Sequence, residues 1–480
     1  MKLSKLINGL KFNGTPGDCE IKSIIHDSRK VREGSLFIAI KGFETDGHDY
    51  ILDAIKNGAS AIVSNGRSID NLPIPVVKVN NPRESMSQIS ANFYEHPSRD
   101  LNIIGVTGTN GKTSITQLIF EIFNKSGLTT GSLGTLGFAT PSGMSTTGFT
   151  TPESVEVQHL LKMMKCGGVE NAVMEISSHA LEMNRVDDVN VNIAVFSNLS
   201  QDHLDFHGDM ENYYLAKLKL FKRLPKSSTA IINIDNNYGR LICNAIDCKV
   251  ITYGVHPNAD LCAVDYELTL ESTAINLKWN GQSFEVNSNL IGHYNLENIL
   301  AVIATSLVSG ISIAQIKTTI NSQINIPGRM EKYESLGKGL VIVDYAHTPD
   351  AYSQIFKTIK NLSSKNSKII TVFGCGGNRD KEKRPLMGEI AGEYSNKVFI
   401  TSDNPRNEKV EDICDQISTG FIEENFEIEL NRENAIITAI NLMDANSILL
   451  VLGKGRDDYE EIGNEKLPHS DIGIIKSHFG

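Results

Sequence analysis

The 480-residue chain is 40% hydrophobic and 21% charged, with a formal net charge of −11. That length is too great for one core, so about three domains of roughly 100–200 residues each are expected, and the acidic balance argues against a nucleic-acid surface. No apolar run approaches the roughly 18 residues of a membrane span, and the cysteines show neither pairing nor metal spacing, so reduced thiols and a cytoplasmic location are expected.

Residues 1–96 alternate short apolar runs with amphipathic segments, at Ser35 to Ile40, Tyr50 to Ile55, Ala61 to Val63 and Val76 to Val79. This alternation predicts a small α/β domain, with polar turns at Asp27-Ser28-Arg29 and Asp46-Gly47-His48. A linker near His96-Pro97 opens a second domain, residues 97–327. Its first strand, Leu101 to Val106, runs into Gly105-Val106-Thr107-Gly108-Thr109-Asn110-Gly111-Lys112-Thr113. Apolar residues at helical spacing follow from Ser114. Strand, glycine loop and helix in that order make a phosphate cradle, with N–H groups turned to an anion at the positive end of a helix. The spacing is a variant, because the strict phosphate-loop pattern needs glycine at 106, where Val106 stands. Lys112 is expected to meet the β- and γ-phosphates, and the Thr113 hydroxyl to ligate Mg²⁺.

Two further strands, Asn171 to Ile176 and Val191 to Phe196, end in polar stretches that a parallel sheet would bring beside the phosphate loop: Glu175 to His179 and Asn198 to Asp205. A helix from Met210 to Leu224 puts Tyr213 and Lys217 on one face. Glu175 and His203 suit a Mg²⁺ site, whereas a bare Lys217 would repel the cation. Condensation of Lys217 with CO₂ replaces its charge with an anionic carbamate oxygen. Apolar runs flanking Asn280-Gly281 predict a hairpin and a small antiparallel patch. From residue 328 the βα alternation returns, with strands at Gly339 to Asp344, Lys368 to Phe373, Lys397 to Ile400 and Ser447 to Leu452. This predicts a Rossmann-like, doubly wound third domain over 328–480.

The loop at 107–113, Glu175 to His179, Asn198 to His207, Asn295 with Asn298, Pro327-Gly328-Arg329-Met330-Glu331 and Asp344-Tyr345-Ala346-His347 together resemble, in their order, the pattern of the Mur ligases. These are ATP-dependent amide-forming enzymes of peptidoglycan precursor synthesis. The resemblance spans essentially the whole chain and is nearest to the branch that adds the third amino acid to UDP-N-acetylmuramoyl-L-alanyl-D-glutamate. It implies three α/β domains and an acyl-phosphate mechanism with ATP and Mg²⁺. Gly108, Thr109, Asn110, Gly111, Lys112, Thr113, Ser114, Asn295, Arg329 and Asp344 would contact ATP. Thr113, Glu175, His203 and a carbamylated Lys217 (N6-carboxylysine) would form the metal site, and Lys112, Lys217, His203 and His347 the catalytic set. Ser28, Thr150, Thr151, Ser177 and Arg185 would hold the UDP-peptide.

By the same resemblance, Asp403-Asn404-Pro405-Arg406 looks like the signature for meso-diaminopimelate, with Arg379, Gly453 and Asp457 completing the amino-acid site. A pocket built on Arg406 and Arg379 gains charge-assisted bonds from the second carboxylate, and lysine would leave a guanidinium unpaired. The chain departs from the family where Gly453-Lys454-Gly455-Arg456-Asp457 replaces the usual Gly-Lys-Gly-His-Glu. The expected partners are small-molecule substrates only, without nucleic acid or membrane, and the chain is expected to be a monomer. Alternatives are the same reaction with L-lysine, a folylpolyglutamate synthase-like ligase and, from another class, a nucleotide-binding scaffold without catalysis.

Overall fold

The computed structural model describes residues 1–42, 45–67, 72–335, 337–463 and 465–479. Among the described residues, three sheets of four, eleven and six strands follow one another along the chain, with a separate two-stranded hairpin near the end. The first is wholly parallel: Ser23–Ile25, Ser35–Ile38, Ala59–Ser64 and Val76–Lys78 pair in sequence order. It leads into the helix Pro82–Phe93, where Asn81 caps the Arg83 and Glu84 N–H groups and proline occupies the first turn. That helix packs on Ser154–Cys166 of the second region.

In the eleven-stranded sheet, Asn102–Thr107 lies between Asn171–Glu175 and Ile193–Phe196, all parallel. Side chains alternate across these strands, so Ile104, Val106, Val173 and Val195 enter one core layer while Ile103, Met174, Ala194 and Phe196 enter the other. The helix Lys112–Lys125 covers the first layer with Ile115, Leu118, Ile119, Ile122 and Phe123, all buried. Each such side chain contributes about 1.5–3 kcal/mol by burial. The helix ends where Gly127 turns left-handed at φ 85°, its N–H donating to Asn124 O and that of Leu128 to Phe123 O. Helix and strand therefore hold the intervening loop from both sides.

The expected antiparallel patch is present as Leu261–Leu268, Thr273–Trp279 and Gln282–Ser288, with Asn280 and Gly281 both at positive φ in the turn. A second patch, Thr130–Gly134, Gly137–Thr140 and Gly143–Ser145, extends the opposite edge and was not among the expected elements. Its glycine, serine and threonine content offers little apolar alternation to read.

In the third sheet, Gly339–Asp344, Ser447–Leu452, Lys368–Phe373 and Lys397–Ile400 lie side by side and parallel, with Glu331–Ser335 antiparallel on one edge. The loops after these four strands begin at Tyr345, Gly453, Gly374 and Thr401, so four separate stretches of sequence meet at one sheet end. No helix among the described residues is long and apolar enough to cross a membrane. The cysteines are free thiols.

Candidate functional site

The phosphate loop is pinned to the segment that follows the neighbouring strand. Thr109 N–H donates 2.9 Å to Asn198 O, Asn110 N–H donates 2.9 Å to Asn198 Oδ1, and Ser197 Oγ donates 2.6 Å to Asn110 O. Two glycines are required by this closeness. A Cβ at Gly108 would lie 1.9 Å from Ser197 Oγ, and one at Gly111 would lie 2.2 Å from Asn298 Oδ1. Lys112 Nζ folds back to donate to Gly108 O at 3.0 Å and Thr109 O at 2.8 Å. Lys217 Nζ also donates to Gly108 O, at 2.9 Å, and lies 4.6 Å from the centre of the Tyr213 ring. The two lysine nitrogens thus share one carbonyl oxygen. Burial, with the Lys112 charge as second cause, holds Lys217 well below the usual ammonium range.

Glu175 stands level with Val106 in the adjacent strand and is buried. Its Oε2 accepts from the Thr113 hydroxyl at 3.1 Å and the Thr135 hydroxyl at 3.2 Å, and its Oε1 accepts from Thr135 N–H at 2.8 Å. Burial raises its carboxyl, opposed by the charge of Lys112. His203 has left-handed backbone at φ 53°, with its ring edge-on to His179 at 4.8 Å and Nε2 3.4 Å from Asp202 Oδ2. Desolvation lowers its pKa to about 4, so the imidazole is neutral near pH 7. Among the described residues no three His, Cys, Asp or Glu side chains gather as a metal cage. A hydroxyl, one carboxylate and one neutral imidazole fit a hard cation that keeps water and phosphate oxygens in most of its shell.

A cleft of about 280 Å³ brings together Thr109 to Ser114, Thr150, Glu175, His203, Asn295, Arg329, Asp344 and His347. Lys217 is not among its lining residues. Arg329 lies 4.7 Å from the centre of the Tyr345 ring, and its Nη2 donates 3.4 Å to Thr113 Oγ1. Each Asp344 oxygen accepts a backbone N–H, from Met330 at 2.7 Å and Ala346 at 2.8 Å, so this carboxylate fastens the cleft wall. Asn295 Nδ2 donates to Ile291 O, and Asn298 donates to Asn295 Oδ1. His347 Nδ1–H donates 2.9 Å to Tyr345 O, which leaves the Nε2 lone pair as the free acceptor of the neutral ring.

A second cavity, about 880 Å³, shares Asp202, His203, Tyr345, His347 and Thr348 with the first. Its far wall carries Arg379, Asp403, Asn404, Arg406, Gly453 and Asp457. Pro405 does not line it and acts through the backbone, since a Cβ at Gly377 would lie 1.9 Å from Pro405 O. Asn404 Oδ1 accepts from the buried Lys454 at 3.1 Å and from Glu461 N–H at 2.8 Å, tying the 453 loop to the hairpin Tyr459–Ile462 and Glu465–Pro468. Burial raises the Asp457 carboxyl. Arg406 departs from the picture of a bare guanidinium waiting for a carboxylate. Its Nε pairs with Glu461 Oε2 at 2.9 Å, and its Nη1 donates 2.8 Å to Gly377 O. Lysine in this cavity would leave Arg406 paired within the protein.

Thr150 Oγ1 lies 3.0 Å from Thr135 Oγ1, and Thr151 Oγ1 donates 2.8 Å to Glu175 O while accepting from Ser177 N–H. Arg185 donates to Thr151 O and pairs with Glu153, which also pairs with Arg83 of the first region. Ser28 stands apart on a short turn capped by Asp27 and lines neither cavity. Asp350 went unnoticed in the sequence. It accepts from Asn110 Nδ2 at 3.2 Å and Ser200 Oγ at 2.8 Å, joining the phosphate loop to the helix Pro349–Leu362. Thr348-Pro349-Asp350 directly after Asp344 to His347 is a helix-start signature that could have drawn attention to it.

Three family models match in succession: the Mur ligase family catalytic domain at residues 20–94, the Mur ligase middle domain at 106–306, and the Mur ligase glutamate ligase domain at 328–455. A protein of Clostridium acetobutylicum named UDP-N-acetylmuramoyl-L-alanyl-D-glutamate--2,6-diaminopimelate ligase 2 is 39% identical over 488 residues, covering 100% of both chains. The ligase of the same name, without the number, from Clostridioides difficile is 41% identical over 475 residues and 97% of each chain. A solved structure of a 2,6-diaminopimelate ligase of that name superposes with TM-score 0.68 at 32% identity, covering 95% of this chain and 94% of the other. With similarity at this level from end to end, in both sequence and fold, the chain belongs to the Mur ligase family.

Proposed function

We propose that this protein joins meso-diaminopimelate to the D-glutamate of UDP-N-acetylmuramoyl-L-alanyl-D-glutamate at the expense of ATP. A carboxylate is too poor an electrophile for an amine. An oxygen of the glutamate side chain therefore attacks the γ-phosphorus, ADP leaves, and the resulting acyl phosphate is attacked by the neutral amine with release of phosphate. Phosphoryl transfer depends on positioning and on cations at the oxygens. Lys112 would swing from its loop carbonyls to the phosphates, and Arg329 lies close enough to Thr113 to act beside it. Thr113, Glu175 and His203 would hold Mg²⁺, which supplies positive charge to phosphate oxygens. Lys217 carries an amine whose proton is weakly held, the form that reacts with CO₂ to give a carbamate.

The observation that carries this reading is that the two cavities are neighbours, with Asp202, His203, Tyr345, His347 and Thr348 lining both. That adjacency supports an amine held near Arg379, Arg406 and Asp457 meeting the carbon activated at the phosphate loop. A Thr150, Thr151, Ser177 and Arg185 edge beside Glu175 would receive the peptide end of the UDP substrate, and Ser28 a remote part of it. The test is mass spectrometry of the product formed from the UDP-dipeptide, ATP and equal amounts of meso-diaminopimelate, LL-diaminopimelate and L-lysine. The diaminopimelate adduct, with ADP release dependent on both substrates, is expected. A lysine adduct as main product, or ADP release without amine, would overturn it.

A further inference from the structure

The loop that carries Gly453 and Asp457 also carries Arg456, which has no part in the reaction as described. Its Nη2 donates 2.8 Å to the carbonyl oxygen of Leu136, in the turn between Thr130–Gly134 and Gly137–Thr140 of the central sheet. The preceding residue is Thr135, whose N–H and hydroxyl both donate to the Glu175 carboxylate, at 2.8 Å and 3.2 Å. Two consecutive residues are thus held from opposite sides, one by the carboxylate beside the phosphate loop and one by a guanidinium from the amino-acid loop. Gly134 and Gly137 flank the turn, the latter at φ 107°, and glycine leaves the backbone permissive. The charge-assisted bond to Leu136 O adds a tie from the third region to this turn. The same loop is seated at a second point: a Cβ at Gly328 would lie 2.5 Å from Arg456 N and 2.8 Å from Gly455 C, so residues 455–456 press on the junction between the second and third regions.

We propose that Arg456 is a positioning residue that ties the seating of the amino-acid loop to the orientation of Glu175, so that the amine pocket and the phosphate site are aligned together. This rests on the reading of Glu175 as the phosphate-site carboxylate. A lysine could reach the carbonyl with one donor, whereas methionine keeps the stem and loses the bond.

Amide hydrogen exchange of the full-length protein, read on peptides spanning 133–137, tests it without reference to activity. Arg456→Met is expected to lower protection at Thr135 about tenfold, with the helix Lys112–Lys125 unchanged. Arg456→Lys, the variant to rely on where methionine weakens the whole fold, should lower it about threefold. Protection at Thr135 equal to wild type in both variants overturns the proposal. A kinetic cycle at saturating substrates gives the second readout: Thr135→Val should cost less in the Arg456→Met background than in wild type, and strictly additive losses overturn the coupling. Failure of the wild type to ligate would count against the proposed function and leave the exchange result standing.

Discussion

The phosphate loop and the amino-acid pocket solve the same problem, holding charged groups out of bulk water, in different ways. Around the loop, the lysine nitrogens lean on backbone carbonyls of one short stretch: Lys112 and Lys217 both donate to Gly108 O. In the amino-acid pocket, charges are matched by other side chains from distant parts of the chain. Arg406 pairs with Glu461, and behind the cavity wall the buried Arg384 pairs with Glu408, whose other oxygen accepts the Asn378 N–H. A neutral carbonyl releases a lysine to an incoming phosphate with little competition, while a carboxylate competes with the substrate for the same guanidinium. On the proposed function, the loop would serve strong, general anion binding, and the pocket graded selection.

The largest effect should come from the loop. Lys217→Ala is expected to lower turnover about 10³-fold, measured as amine-dependent ADP release, with ATP binding by calorimetry retained. Partial recovery on adding a short carboxylic acid would point to the missing carbamate, and wild-type turnover in the variant without it would erase the distinction drawn above. In the pocket, Arg406→Ala should lower kcat/KM for meso-diaminopimelate about 10- to 100-fold, leaving that for L-lysine nearly unchanged. An equal loss for both amino acids would mean that Arg406 braces the Gly377 carbonyl and does not read a carboxylate.

Glu461→Gln sharpens the comparison most directly. Because Gly377 O still holds Nη1, the guanidinium should stay in place while its competitor loses charge. KM for meso-diaminopimelate is expected to fall about two- to fivefold, and a rise would show that Glu461 orients Arg406 for the substrate. The smallest effect concerns stability in acid. The Arg384 guanidinium holds the Glu408 carboxyl down to about 2, against an unfolded value of 4.5. A carboxyl lowered on folding stabilises above its unfolded pKa and loses that contribution as pH falls through the folded one. Tm should therefore decline between pH 4.5 and about 2, and Glu408→Gln should flatten that part of the curve while lowering Tm near neutrality.

Much of this molecule was legible without coordinates, for local reasons. Gly339–Asp344, Lys368–Phe373, Lys397–Ile400 and Ser447–Leu452 fall where continuous apolar runs predicted buried parallel strands. The phosphate loop was readable because strand, glycines, lysine and helix are contiguous, and the Asn280-Gly281 hairpin because its turn chemistry is two residues long. The Thr130–Ser145 strands were missed, since small polar residues carry no periodicity.

What only the tertiary structure decided is which distant residues satisfy one another. The family resemblance implies that Arg406 awaits a substrate carboxylate, yet a hairpin some fifty residues later supplies Glu461 to it. It likewise implies that Asp344 contacts ATP, and the fold sets Asp344 in the cleft wall with its oxygens already accepting the Met330 and Ala346 N–H groups. Asp350 and Arg456 owe their significance to contacts across regions, with Asn110 and Leu136. The physical reason is common to all four. A charged side chain leaving water takes the nearest partner in space, and that proximity is set by how the sheets pack, which no local pattern in the chain records.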